Sequence, residues 1–214
     1  MNARVVAITD RTLCPTDEIA PRMRAVLAAV PEGALHVQIR EKDLDGGSLL
    51  DLARALAALG APMWVNDRLD IALAARAVGV HLPERGLSIG DARRVIEDLG
   101  AKLAIGCSRH APRDVAVAAD VVHLGPIWAT PSKAGVIEPL GVDALCAGRE
   151  ILGALSARLV AVGGIDRPER AREAARAGAD AVAVIRAVWA SDDPARAVAA
   201  LCEAVDDGHR ERCG

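Results

Sequence analysis

Eight short apolar runs, each followed by a stretch with helical apolar spacing, constrain this chain more than any other feature. The runs are Arg4–Ile8, Leu35–Ile39, Met63–Asn66, Gly79–Leu82, Lys102–Gly106, Val121–Leu124, Arg158–Val162 and Asp180–Ile185. They are rich in Val, Ile, Leu and Ala, as strands of a parallel sheet covered on both faces must be. The intervening stretches predict helices over about Asp17–Val30, from a Ser48 cap to Gly60, from Asp67–Asp70 onward, and from a Ser88 cap to Leu99. Further helices are expected over Pro112–Ala119, Gly141–Leu155, Pro168 to near Gly178, and Pro194–Val205. Eight strand–helix units with short connections predict an α/β fold, a closed (β/α)8 TIM barrel, as one domain over residues 1–214. An open doubly wound sheet is the alternative. The ordered core is expected over about residues 4–205, with a polar tail from Asp206 that frays.

The core must be built almost without aromatic rings, because the 214 residues include three Trp and no Phe or Tyr. The same scarcity removes the stacking platforms of single-strand nucleic-acid binders. A net charge of -3, with both signs mixed along the chain, argues against a nucleic-acid or membrane surface as partner. The five cysteines, Cys14, Cys107, Cys146, Cys202 and Cys213, form no CxxC pair, so zinc and redox motifs are not expected and a reducing cytoplasm is. No basic start leads into a long apolar run, and no apolar segment reaches bilayer length.

A barrel carries its functional residues just after its strands, on one face. Polar residues gather there: Thr9-Asp10, then Gln38, Arg40 and Lys42, Asn66-Asp67, Ser108, Thr130 to Lys133, Gly163-Gly164, and Arg186. Alternation puts Gln38, Arg40 and Lys42 on one side of an extended chain. The stretch DVVHLGPIWATPSK, Asp120–Lys133, breaks at Gly125-Pro126 and opens into a loop with Thr130, Ser132 and Lys133. Two hydroxyls and an ammonium within four residues suit a multiply charged anion. Gly163-Gly164 and the turn after the eighth strand can present backbone amides to a phosphate. The plainer alternatives are a solvated turn, a tight Gly-Gly turn, surface ion pairs of Arg40 and Lys42 with Glu41 or Asp43, and helix capping by Asn66-Asp67.

VVAITDR, VQIREKDL, WVNDRLDIAL, GVHL, IGCS, DVVHLGPIWATPSK, VAVGGI and GADAVAVI follow one another as in thiamine phosphate synthases and their TenI relatives. The chain resembles that family over about residues 4–198. The specific parts are Gln-x-Arg-x-Lys, the Asn-Asp pair and the Gly-Pro-x-x-x-Thr-x-Ser-Lys loop. The resemblance implies a reaction in which an aminopyrimidine methyl diphosphate and a thiazole phosphate give thiamine phosphate and pyrophosphate. It implies that Arg40, Lys42, Asn66 and Lys133 hold the diphosphate, with Arg40, Lys42 and Lys133 neutralising the leaving group. It implies that Asp67 holds magnesium, that Gln38 and Ser108 contact the pyrimidine, and that Thr130 and Ser132 lie by the thiazole phosphate. The amides of Gly164, Ile185 and Arg186 would bind that phosphate. Members are often dimers.

Three departures from the family pattern stand out. The synthases usually place a second magnesium-binding Asp where this chain has Gly86, and Glu84 is the carboxylate nearby in sequence. The TenI thiazole tautomerases carry an acid/base His where this chain has Pro126. A small or apolar residue is usual where this chain has His123, whose imidazole is the one candidate acid/base group for an isomerase reading. The alternatives to a synthase are therefore a TenI-like isomerase and a non-catalytic phosphate-ligand sensor. His81 is commonplace in the family and reads as structural.

Overall fold

The computed structural model describes residues 3–130, 138–153 and 155–212. Its elements run β1 (Val5–Ile8), α1 (Thr16–Ala28), β2 (Leu35–Ile39), α2 (Gly46–Ala57), β3 (Met63–Asn66), α3 (Leu69–Ala74), β4 (Gly79–Leu82) and α4 (Ile89–Asp98). They continue through β5 (Ala104–Arg109), β6 (Val121–Leu124), α5 (Asp143–Leu152), β7 (Arg158–Val162), α6 (Pro168–Arg176), β8 (Ala181–Val184), α7 (Arg186–Trp189) and α8 (Pro194–Arg212). The strands pair in parallel in chain order and β8 closes on β1, so the sheet is a TIM barrel. The open sheet is excluded.

Alternation along the strands divides the core in two. Val5, Ala7, Val37, Ile39, Val65, Val80 and Ile105 pack outward with the helices. Val6, Ile8, Trp64, Val121, Val160, Ala181 and Ala183 fill the barrel interior. Without Phe or Tyr, the bulk inside comes from Trp64 and three buried histidines, His36, His81 and His123. Trp64 Nε1 donates to His36 Nδ1 at 2.9 Å, which satisfies both buried rings. The Trp64 ring lies against Gly79 so closely that a Cβ there would stand 2.2 Å from it. Gly79→Ala is therefore expected to destabilise by about 1–3 kcal/mol through overpacking. Denaturant unfolding of Gly79→Ala, and of Gly79→Ala with Trp64→Leu, checks this: the second change should recover part of the loss.

Several sequence expectations are corrected. Asp45, not Ser48, caps α2: it accepts from Ser48 N–H at 3.0 Å and from the Ser48 hydroxyl at 2.8 Å. Two glycines follow Asp45, so the helix begins before its apolar stripe does. β5 runs on to Arg109, and the helix expected over Pro112–Ala119 is a single 3-10 turn, Pro112–Asp114. The longer strand consumes residues the crossover would need, and Arg93 takes the Ala118 carbonyl at 3.0 Å. The tail expected to fray from Asp206 is the continuation of α8 through Arg212. Its polar composition hides one packed face. Gly208 meets α6 where a Cβ would stand 2.3 Å from Arg172 O, His209 Nε2 lies 3.0 Å from Ala179 O, and Glu211 pairs with Arg172.

Candidate active site

The C-terminal ends of β1 and β2 are stitched together by side chains. Thr9 N–H donates to Gln38 O at 2.9 Å, and Arg40 N–H donates to the Thr9 hydroxyl at 2.9 Å. Gln38 lies inside the barrel, 2 % exposed, whereas Arg40 and Lys42 are exposed at the rim. β2 ends at Ile39, so the alternation expected to carry through to Lys42 stops at Arg40, and Lys42 sits in the turn beyond. Glu41 turns inward behind them and is 7 % exposed. Its Oε2 accepts from Arg11 N–H at 3.2 Å. Burial pushes the Glu41 carboxyl above the usual range, and hydrogen bonds from Thr9 and Arg11 pull it part of the way back. Its Oε1 is buried with no partner among the described residues.

The surface ion pairs weighed for Arg40 and Lys42 do not form. Asp43 is taken by Arg11 at 2.7 Å, and among the described residues neither Arg40 nor Lys42 makes an ion pair. Two cations without an ion pair among the described residues thus flank Glu41 in sequence at the barrel mouth.

At the end of β3, Asn66 is half-buried and Asp67 exposed. Neither caps a helix. Asp67 adopts a left-handed backbone, φ 67°, α3 starts only at Leu69, and its first turn has no side-chain cap. That conformation is uncommon outside glycine, although Asp tolerates it better than most residues. Asp67 N–H donates to His81 O at 2.9 Å, which ties it to β4. A cavity of about 220 Å³ brings Lys42, Asn66 and Asp67 together with Glu41, Arg68, Pro83 and apolar Ile39, Leu44 and Leu49. A larger groove, about 390 Å³, lies between α1 and α2; Arg24 is the one charged residue in its lining, against Glu41, Lys42, Asp67 and Arg68 in the smaller cavity.

Gly86 touches the Asp67 carboxylate. A Cβ at Gly86 would stand 2.8 Å from Asp67 Oδ1. The position where the family pattern has its second acidic residue is therefore beside Asp67, while Glu84 is exposed on the turn after β4. Among the described residues no three His, Cys, Asp or Glu side chains converge. A lining that includes the Asp67 and Glu41 carboxylates still fits magnesium, which is commonly held by one or two carboxylates together with substrate phosphates.

Ser108, on β5, is half-buried, and its Oγ lies 2.9 Å from His81 Nε2. The His81 ring meets that of His123 at a tilt of 45°, with centroids 4.3 Å apart. Burial holds His81 far below the usual imidazole range, helped by neighbouring His123, Arg40 and Arg109. Burial alone lowers His123 to about 4. His123, the acid/base candidate of the isomerase reading, is thus a neutral core residue, 4 % exposed.

On the far side of the mouth, the loops after β6 and β7 interlock. Thr130 is half-buried; Ser132 and Lys133 lie outside the described residues. Gly163 and Gly164 have φ of 97° and 70°, and a Cβ on either would stand 2.6 Å from Pro126 or Trp128. The glycines thus have a packing reason whether or not a ligand approaches them. Ile185 and Arg186 open the single turn of α7, which Trp189 anchors by donating to Ile8 O at 2.6 Å. Sequence reading missed Arg11 and Glu41. The available signal was Glu41's place opposite Arg40 on an extended chain, facing the helix layer.

The thiamine monophosphate synthase family profile matches residues 5–188. A relative from Geobacter sulfurreducens is 45 % identical over 191 residues, covering 82 % of this chain and 86 % of the relative. The thiamine-phosphate synthase of Albidiferax ferrireducens is 40 % identical over 189 residues, covering 85 % and 83 %. Among solved structures, the thiamine phosphate pyrophosphorylase from Pyrococcus furiosus superposes with a TM-score of 0.82 at 28 % identity, covering 97 % of this chain and 98 % of that one.

Proposed function

This chain belongs to the thiamine monophosphate synthase family, and we infer that it is a transferase joining an aminopyrimidine methyl diphosphate to a thiazole phosphate, with release of pyrophosphate. The observation that carries the reading to particular residues is the shared cavity of Lys42, Asn66 and Asp67, with Arg40 exposed just past the end of β2 and in no ion pair among the described residues.

In this reading the diphosphate seats at the ends of β2 and β3. Arg40 and Lys42 neutralise charge that grows on the leaving oxygens as the carbon–oxygen bond breaks. Asn66 donates an amide N–H, and Lys133 completes the cation set. Gln38 and Ser108 orient the pyrimidine, whose ring stabilises the cation left behind. The thiazole nitrogen then captures that carbon. Thr130, Ser132 and the amides of Gly164, Ile185 and Arg186 hold the thiazole phosphate. Asp67 would hold magnesium, which when bound adds positive charge at the departing diphosphate. The four described cysteines are free, in keeping with a cytoplasmic enzyme. We place it there as a homodimer.

The test is a coupled pyrophosphate-release assay with both substrates, across magnesium concentrations, for wild type and Gly86→Asp. Release is expected only with both substrates and magnesium. In Gly86→Asp the half-saturating magnesium concentration should fall by about tenfold, since a second hard oxygen joins Asp67. Two carboxylates that close also repel without a cation. A Cβ at Gly86 would also stand 2.9 Å from the Pro83 ring, so the variant should melt below wild type in chelator and recover part of the difference on adding magnesium. No release at high magnesium with both substrates rejects the transferase reading. Tight thiazole phosphate binding without turnover would point instead to a sensor.

A further inference from the structure

The loops after β6 and β7 meet at one side chain that family resemblance does not mark. Arg170, in the first turn of α6, donates from Nη1 to Gly164 O at 2.6 Å. Its guanidinium carbon lies 5.3 Å from the centre of the Trp128 ring, over its face. One side chain thus grips both loops at once. The backbone adds a second seam: Ile127 N–H donates to Val162 O at 2.9 Å and Trp128 N–H to Gly163 O at 3.1 Å. The β6 loop is also closed at its base, where Leu140 and Gly141 N–H donate to Pro126 O and Ile127 O at 2.8 and 3.0 Å.

We propose that Arg170 is a positioning residue that locks the Trp128 loop onto the Gly163-Gly164 turn, so that the Thr130 segment and the Gly164 amide meet the thiazole phosphate in fixed register. The proposal rests on the reading that this turn takes that phosphate. Arg170 acts through its neighbours rather than as a phosphate ligand. Asp166 accepts from the same Nη1 at 3.2 Å, so its charge is already partnered, and its side chain is 23 % exposed. The carbonyl that Arg170 holds fixes the Gly164–Ile165 peptide plane, and the Trp128 N–H bond to Gly163 O fixes the preceding plane, which carries the Gly164 N–H. Only a planar, forked cation can donate in plane and stack on an indole together; a lysine cannot do both.

The test uses the full chain with Arg170→Met and Arg170→Lys, and it reads kinetics and tryptophan quenching together. Trp64 and Trp189 are 4 % and 1 % exposed, while Trp128 is half-buried, so acrylamide-quenchable emission reports Trp128. Arg170→Met should raise the KM for thiazole phosphate by roughly tenfold, because a phosphate site out of register loses binding. The KM for the pyrimidine diphosphate and kcat should stay within about twofold, as interactions removed equally from ground and transition state require. The quenchable fraction should rise. Arg170→Lys should recover only part of either effect. An unchanged thiazole phosphate KM overturns the proposal, whether or not quenching rises. Equal rises in both KM values with a lower Tm overturn it too, since that is general loosening. Calorimetry on wild type separates the two levels: failure to bind thiazole phosphate at all rejects the underlying reading, and the positioning role of Arg170 with it.

Discussion

Arg40→Met lowers kcat/KM for the pyrimidine diphosphate by about 10²–10³, the loss expected when one preorganised donor to developing negative charge is removed. It should leave the fold intact. Arg40 is exposed and makes no ion pair among the described residues. Its backbone N–H bond to Thr9 survives any side-chain change. Stability should therefore stay within about 0.5 kcal/mol of wild type, as for surface substitutions away from special features. The guanidinium stands near a water-poor interior of neutral histidines, where its charge is felt at His81. Arg40→Lys should recover part of the activity, since it restores charge but not the planar fork. Steady-state kinetics with the pyrimidine diphosphate varied at saturating thiazole phosphate decide the matter. Activity of the Met variant within tenfold of wild type would remove Arg40 from the site.

Much of the scaffold was legible because each strand is an apolar run bounded by a residue that stops it. β2, β3, β4, β6 and β7 match their sequence runs end to end. β5 was cut short because Cys107-Ser108 reads as the start of a loop. A hydroxyl inside a barrel has no sequence signature, and Ser108 is tolerated there because His81 bonds it. Asp67 shows another limit. Its residue type favours a helix cap, but the bond from its N–H to His81 O holds it in a left-handed turn. The candidate positions come from the rule that chemistry sits after strands. What the rule could not supply is partnership: that Asp43 pairs with Arg11, or that Gly86 stands against Asp67. Those contacts join segments tens of residues apart, and periodicity carries no information about them.

The histidine interior makes the barrel acid-sensitive in a definite window. Burial lowers His36 and His123 from 6.5 to about 4, and it holds His81 well below the ordinary imidazole range. The unfolded chain binds protons at these sites as pH falls below about 6.5, while the folded barrel refuses them until about 4. Stability from this source is therefore complete above pH 6.5 and drains away between 6.5 and 4. Each of His36 and His123 accounts for about 3 kcal/mol over that span, a large share of the roughly 5–15 kcal/mol typical of a folded protein. Glu41 opposes the trend, because its raised pKa lets the folded form take up its proton first. Surface carboxylates held down by partners, such as Asp43 with Arg11, lose their contribution only at lower pH, through and below the ordinary Asp range. The window between therefore belongs chiefly to the histidines. Urea midpoints at pH 7, 5.5 and 4.5 should fall steeply, with little change in m. His123→Leu should flatten that fall, both by removing one titration and by lifting the His123 contribution that disfavours charge on His81. A midpoint that stays level from pH 7 to 4.5, or a His123→Leu variant as acid-labile as wild type, would mean that the imidazoles are reached by water and protonate in the folded barrel.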